Sequence, residues 1–178
     1  MRAIINTERL VLRPLVFADA PAFARHANDY DIAKMTGSFP YPFPLLSVEF
    51  KIMYLMSQRE CGLSYPYAIT IEGQDLMGIM DIFRSDDTTA FEIGYWIGRP
   101  FWKRGYVSEA AKAILNEARE TLKVSTITAG VFNDNPASQR VLEKLGFKVL
   151  GPSAPYFSNA RMKNTAGIDL ELSFDDAL

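Results

Sequence analysis

The segment Glu92-Ile93-Gly94-Tyr95-Trp96-Ile97-Gly98-Arg99-Pro100-Phe101-Trp102-Lys103-Arg104-Gly105-Tyr106-Val107-Ser108-Glu109-Ala110 constrains the fold of this chain more than any other. An apolar strand runs into a short turn, and a Lys-Arg-Gly step then opens a helix. Such a junction aims several backbone N–H groups and the positive end of a helix dipole at one place, which is what a phosphate-bearing ligand needs. The stretch predicts a strand-to-helix crossover that doubles as a phosphate-binding turn.

The flanking pattern extends that expectation into an α/β domain. Residues 10–15 read as a first strand ending at Pro14, and Asp19 as the cap of a helix over 20–27. Residues 31–46 are loop-like, with Gly37, Pro40, Pro42 and Pro44 among Phe39, Tyr41 and Phe43, and either wall a substrate site or plug the core. A helix from Ser47 carries Val48, Ile52, Leu55 and Met56 as a stripe. Residues 65–71, 76–83 and 91–97 form an antiparallel meander, with hairpin chemistry at 72–75 and a turn at Asp86-Asp87. The helix over 107–122 sets Ala110, Ala111, Ile114, Leu115 and Ala118 on one side. Residues 125–132 then return as a strand parallel to the preceding one. Pro136 opens the last helix and Gly146 closes it. Residues 147–150 and 168–174 end the sheet as a final pair, with Tyr156 and Phe157 between them.

At 178 residues the chain suits one domain, 1–178, with a core that needs neither disulfide nor metal. A formal net charge of -2 disfavours extended nucleic-acid binding and directs attention to small molecules or peptides. Cys61 is the sole cysteine, which excludes a cysteine zinc cluster and suits a reducing cytoplasm. His26, the sole histidine, reads as a surface or packing residue, so no metal site is expected. No apolar run approaches the ~18 residues of a membrane span, and no signal peptide is read at the N-terminus.

Four segments resemble the GNAT superfamily of acetyl-CoA-dependent N-acetyltransferases, in particular its RimJ/RimL-type group. Thr7-Glu8-Arg9-Leu10-Val11-Leu12-Arg13-Pro14 is similar to that group's opening strand, and Glu92 to Ile97 to its central strand. Residues 102–110 resemble its cofactor loop. Asn133-Asp134-Asn135-Pro136-Ala137-Ser138, followed by Glu143-Lys144-Leu145-Gly146-Phe147, resembles its Asn-x-x-Ser and Glu-Lys-Leu-Gly-Phe signature. The resemblance implies a mixed α/β sheet whose central parallel strands splay to admit acetyl-CoA, flanked by helices. It assigns the pyrophosphate cradle to Lys103, Arg104, Gly105, Tyr106, Val107 and Ser108. Two of these depart from the pattern: Lys103 stands where the subgroup commonly has glycine, and Val107, in place of a small residue, is expected to crowd the helix start.

By the same resemblance Tyr95, Trp96 and Ile97 pair their strand amides with the pantetheine arm, and one of their N–H groups meets the thioester oxygen. Asn133, Asn135 and Ser138 contact the arm and the thiol, although Asn135 and Ser138 also suit a helix cap. Glu92 matches a general base, or equally a strand-edge glutamate in a salt bridge. The tyrosine acid of many relatives is Leu142 here, leaving Ser138 as the hydrogen-bond donor to the departing thiolate. The implied acceptor is a primary amine, preferably a protein or peptide N-terminal α-amine. The alternatives are a small amine such as an antibiotic, polyamine or amino acid, or a module that binds acyl-CoA without turnover.

Overall fold

Two strands, Phe91–Ile97 and Thr126–Phe132, decide how the sheet is arranged, because among the described residues they are the pair that runs parallel and they stay paired only briefly. The computed structural model describes residues 1–84 and 90–174. Ile5–Asn6 (β1) and Val11–Pro14 (β2) lead into helices Ala20–Ala27 (α1), Tyr30–Ala33 (α2) and Leu45–Glu60 (α3). Tyr67–Thr70 (β3), Gly78–Arg84 (β4) and Phe91–Ile97 (β5) form the meander. Then come Tyr106–Leu122 (α4), Thr126–Phe132 (β6), Pro136–Lys144 (α5) and Lys148–Pro152 (β7). Tyr156–Ser158 (β8) and Lys163–Thr165 (β9) make a separate hairpin before Gly167–Ser173 (β10). The main sheet has the order β1-β2-β3-β4-β5-β6-β10-β7.

Alternation along the strands sorts their side chains into two cores. Ile93, Ile127, Ala129, Val131 and Leu170 face α4 and meet its buried stripe of Ala110, Ala111, Ile114, Leu115 and Ala118. On the other face Trp96 and Ile79 join Phe23 of α1, Val48 and Ile52 of α3, and Phe39 and Phe43 of the proline-aromatic loop. Burying such side chains is worth about 1.5–3 kcal/mol each. Phe39 and Phe43 therefore plug this second core, with ring centroids 5.6 and 5.8 Å from Phe23.

Several expectations shift. Part of the supposed loop at 31–46 is helical, because Asp29 caps α2 by accepting from the Asp31 N–H at 2.9 Å, and α3 starts at Leu45 rather than Ser47. Asp19 precedes α1 without capping it. Its carboxylate turns back to the Val16 N–H at 2.9 Å and to Arg13 at 2.7 Å, a half-buried ion pair that outcompetes the helix amides. The final strand pair does form, but β10 lies between β6 and β7, so the strand last in sequence is internal to the sheet. The turn expected at Asp86-Asp87 lies outside the described residues.

Candidate active site

After β5 the chain makes a 3-10 turn over Arg99–Phe101 and then enters α4 through two left-handed residues, Lys103 at φ 60° and Gly105 at φ 79°. A Cβ at Gly105 would meet only Arg9 at 3.4 Å, an ordinary contact, so it is the positive φ that calls for glycine here. Lys103 holds the same region with a side chain, at about 1–2 kcal/mol. Gly105 has no side chain to cap with, so no cap bond serves the N–H groups of Tyr106, Val107 and Ser108 at the positive end of α4. The Glu109 N–H closes on the Gly105 carbonyl at 3.0 Å. Val107 does not crowd this entrance as expected, because its side chain packs against the α4-side core.

The N-terminal segment fixes this turn. Arg9 donates to the Arg104 carbonyl at 3.0 Å and to Glu109 at 2.7 Å, and lies over the Tyr106 ring at 4.8 Å. Thr7 donates its hydroxyl to Glu109 at 2.6 Å. Burial pushes the Glu109 carboxyl up, but the hydrogen bonds from Thr7 and Arg9 outweigh it and the net shift is downward. Sequence reasoning placed Thr7 and Arg9 on an opening strand and gave them no part in the loop. The only signal was an Arg-Glu pair 100 residues apart, which no local pattern reads.

Beyond Glu92↔Thr128 the two parallel strands part. Each is held on its other edge, β5 by seven pairs to β4 and β6 by seven pairs to β10, so the opening persists although the ladder between them ends. The Gly98 N–H donates to Met77 O at 2.8 Å, which marks Gly98 and Met77 as a hydrogen-bonded pair. Antiparallel alternation then directs the backbone of Gly94 and Trp96 to β4, and that of Tyr95 and Ile97 into the opening. This corrects one expectation: Trp96 cannot offer strand amides to a ligand there. Its side chain lies instead in the aromatic core, 4.9 Å from Phe23. The Ile97 carbonyl accepts from the Trp102 indole N–H at 2.8 Å.

Tyr95 lies three residues beyond Glu92 on β5, so their side chains leave opposite faces of the sheet. On the α5 side, the Tyr95 hydroxyl stands 2.7 Å from Ser138 Oγ and 3.3 Å from the Ser138 carbonyl oxygen. Burial pushes the Tyr95 phenol up to about 12, and in its contact with Ser138 Oγ either hydroxyl can be the donor. Asn135 caps α5, its Oδ1 accepting from the Ser138 N–H at 3.1 Å, while the Asn133 N–H goes to Ala166 O at 3.0 Å.

The opposite face is acidic. Glu92 is pushed up by burial and then by the charge of Asp169, and the Gly130 amide draws it back in part. The charge acting on it is an anion, which speaks against the salt-bridge alternative. Asp169 accepts a hydrogen bond from the Tyr156 hydroxyl, whose ring occupies the space above Gly130. On β4, burial raises Asp81 to about 6 even though Ser64 donates to it at 2.7 Å and the Tyr65 N–H at 3.0 Å. The segments 31–46 and 152–167 clasp each other beside these groups. Asn159 N–H donates to Gly37 O at 3.0 Å, and Arg161 to Lys34 O at 2.8 Å and to Asp134 at 2.9 Å. Arg161 thereby ties both walls to the Asn133-Asp134-Asn135 turn. His26 packs edge-on against Phe101 at 5.2 Å, and Cys61 is exposed at the end of α3.

A mixed sheet whose parallel pair parts beside a glycine-entered helix is the architecture that the sequence resemblance implies. The chain matches the Acetyltransferase (GNAT) domain over residues 9–148, and it belongs to that family. It is 31% identical over 166 residues to the uncharacterized N-acetyltransferase YoaA of Bacillus subtilis, covering 88% of this chain and 89% of YoaA. Among the solved structures that share the fold, two bear on the site. One is RimL, a ribosomal L7/L12 alpha-N-protein acetyltransferase in complex with coenzyme A, with a TM-score of 0.84 at 17% identity, covering 97% of this chain and 98% of that one. The other is Mycobacterium smegmatis RimJ in complex with CoA-disulfide, with a TM-score of 0.85 at 19% identity, covering 97% and 88%. The protein is an acetyl-CoA-dependent N-acetyltransferase of the GNAT family. Among the described residues no helix is long and apolar enough to cross a membrane.

Proposed function

We propose that the chain, acting as one domain, acetylates an N-terminal α-amine of a protein or peptide. The observation that carries this reading is the placement of Glu92 and the Tyr95–Ser138 pair on opposite faces of the sheet, flanking one opening. Acetyl-CoA supplies an acetyl group already activated as a thioester. The residues present fit its carrier: the uncapped amides of 106–108 after left-handed Gly105 suit a pyrophosphate, with Lys103 and Arg104 adding charge. Tyr95 and Ile97 turn their backbone groups to an amide-bearing arm lying in the opening, and Asn133 and Asn135 border the same end.

Glu92 takes the proton from the attacking amine on the acidic face, and Ser138 donates a hydrogen bond to the departing thiolate on the other. At pH 7 an α-amine of pKa ~7.8 is about 14% neutral and a lysine amine of pKa ~10.4 only about 0.04%, so an α-amine asks less of a single carboxylate. The shared fold with RimL and RimJ supports the same acceptor class. A small amine is the second reading, favoured by the clasp of the 31–46 and 152–167 segments, which walls the acidic face.

Incubating the enzyme and acetyl-CoA with a peptide library and reading products by mass spectrometry tests the choice. The expected products are Nα-acetyl peptides; acetylation confined to lysine side chains or to small amines overturns it. A base must be a carboxylate to act, so activity rises with pH, and the upward shift of Glu92 moves that rise toward neutrality. Glu92→Gln should lower kcat about 10²-fold at neutral pH and recover in part as the amine deprotonates at higher pH. An equal loss at every pH would show a binding or structural role.

A further inference from the structure

Ser138 is the third residue of α5, and its own N–H is held by the Asn135 cap. A serine hydroxyl carries one proton and two lone pairs and rotates to suit its neighbours. In the first turn of a helix it can also turn back on local backbone carbonyls, where it is of no use to a ligand. What prevents this here comes from another element: the Tyr95 hydroxyl reaches from β5 to within 2.7 Å of Ser138 Oγ. That contact spans the open end of the gap between β5 and the helix that follows β6.

We propose that Tyr95 is a positioning residue for acetyl transfer: its phenol donates to Ser138 Oγ, occupying one lone pair, and so directs the serine proton at the sulfur of CoA. This deepens the reading of Ser138 given above and rests on it. In the step, the amine nitrogen forms a bond to the acetyl carbon and the C–S bond breaks with its electron pair kept by sulfur. The amine proton leaves to Glu92, and the thiolate accepts the Ser138 O–H as a hydrogen bond. Tyr95 keeps its proton throughout. Its ionisation is raised to about 12 by burial, and a thiolate whose thiol ionises near pH ~8.5 is too weak a base to remove it.

The thiol of enzyme-bound CoA reports this arrangement without any acceptor. Its ionisation is followed by ultraviolet thiolate absorbance in the wild type, Tyr95→Phe, Ser138→Ala and the double variant, with CoA affinity measured below the titration. Ser138→Ala is expected to raise the bound thiol's pKa by about one unit, as loss of a charge-assisted hydrogen bond does. Tyr95→Phe is expected to raise it by about half as much, and the double variant to match Ser138→Ala alone. CoA affinity should stay within about twofold for Tyr95→Phe, since no charge or backbone group is removed. No shift in Tyr95→Phe beside a clear shift in Ser138→Ala overturns the role of Tyr95 and leaves Ser138 standing, as do additive shifts in the double variant. No shift in Ser138→Ala removes Ser138 and Tyr95 together. Should Tyr95→Phe fail to fold, replacing Tyr95 by 3-fluorotyrosine keeps the ring and strengthens the donor. The bound thiol's pKa must then fall, and an unchanged or raised value refutes the proposal.

Discussion

The two parallel strands each feed a helix, and the two junctions are built in opposite ways. From β5 the chain passes through left-handed Lys103 and Gly105 into α4, whose first amides have no side-chain cap. From β6 it passes through Asn135 and Pro136 into α5, where one amide is taken by the Asn135 side chain and proline has no N–H to offer. A helix start can either keep its orphan donors for an outside anion or satisfy them internally. Here one of each stands beside the same opening. The uncapped start suits the anionic end of a ligand. The capped start instead presents side chains, Ser138 above all, at fixed positions.

The largest test of this contrast is Gly105→Val. A β-branched residue is a poor occupant of φ 79°, so stability should fall by about 1–2 kcal/mol and acetyl-CoA affinity by more than about tenfold as the amides are displaced. Calorimetry on protein shown to be folded reads both, and unchanged affinity would remove α4 as the anion site. Asn135→Ala should do the reverse: a loss of about 1 kcal/mol of stability, seen as a lower Tm, with the smaller effect on affinity. If affinity suffers more than stability, the α5 start also serves the ligand directly and the contrast softens. The smallest effect is expected for Lys103→Gly. Relief of the left-handed strain, less the greater entropy of glycine in the unfolded chain, should leave it about 0.5–1 kcal/mol more stable. Acetyl-CoA affinity should drop modestly, and by less in high salt, if the lysine charge serves the phosphates. A loss of stability would mean that the side chain makes a contact outweighing its strain.

Legibility followed the range of the interactions. The bounds of β5, α4 and α5 could be read within one or two residues, because each rests on a local pattern: an apolar strand, a buried stripe, a proline start and a glycine stop. Asp19 reads as a cap in the sequence but is not one, because Arg13 competes for its carboxylate, and competition depends on packing rather than on position in a helix. Trp96 was grouped with Tyr95 and Ile97 because the three are adjacent in sequence. Which of them turns its backbone to the opening follows from the pairing with β4, which sequence adjacency does not carry. The β8–β9 hairpin is not legible in the sequence for a related reason. Tyr156, Phe157 and Arg161 have no period of their own, and they are ordered by Asp169, Gly37, Lys34 and Asp134.

The α/β class, the strand-to-helix crossover with glycine at its turn, the family, the splay of the parallel pair that it implies, and Glu92, Ser138 and Gly105 as the residues to watch were all legible in the amino-acid sequence. Those follow from propensity, patterning and motif, which act over a few residues at a time. Packing across the sheet settled that β5 and β6 stay paired only as far as Glu92 and Thr128, that Trp96 turns its backbone to β4 rather than to the gap, and that Tyr95 reaches Ser138. It also decided that Arg9 and Thr7 brace a loop about 100 residues away through Glu109. Each of these depends on edges held by a third strand or on side chains meeting across distant elements, and such contacts exist only once the whole sheet has closed.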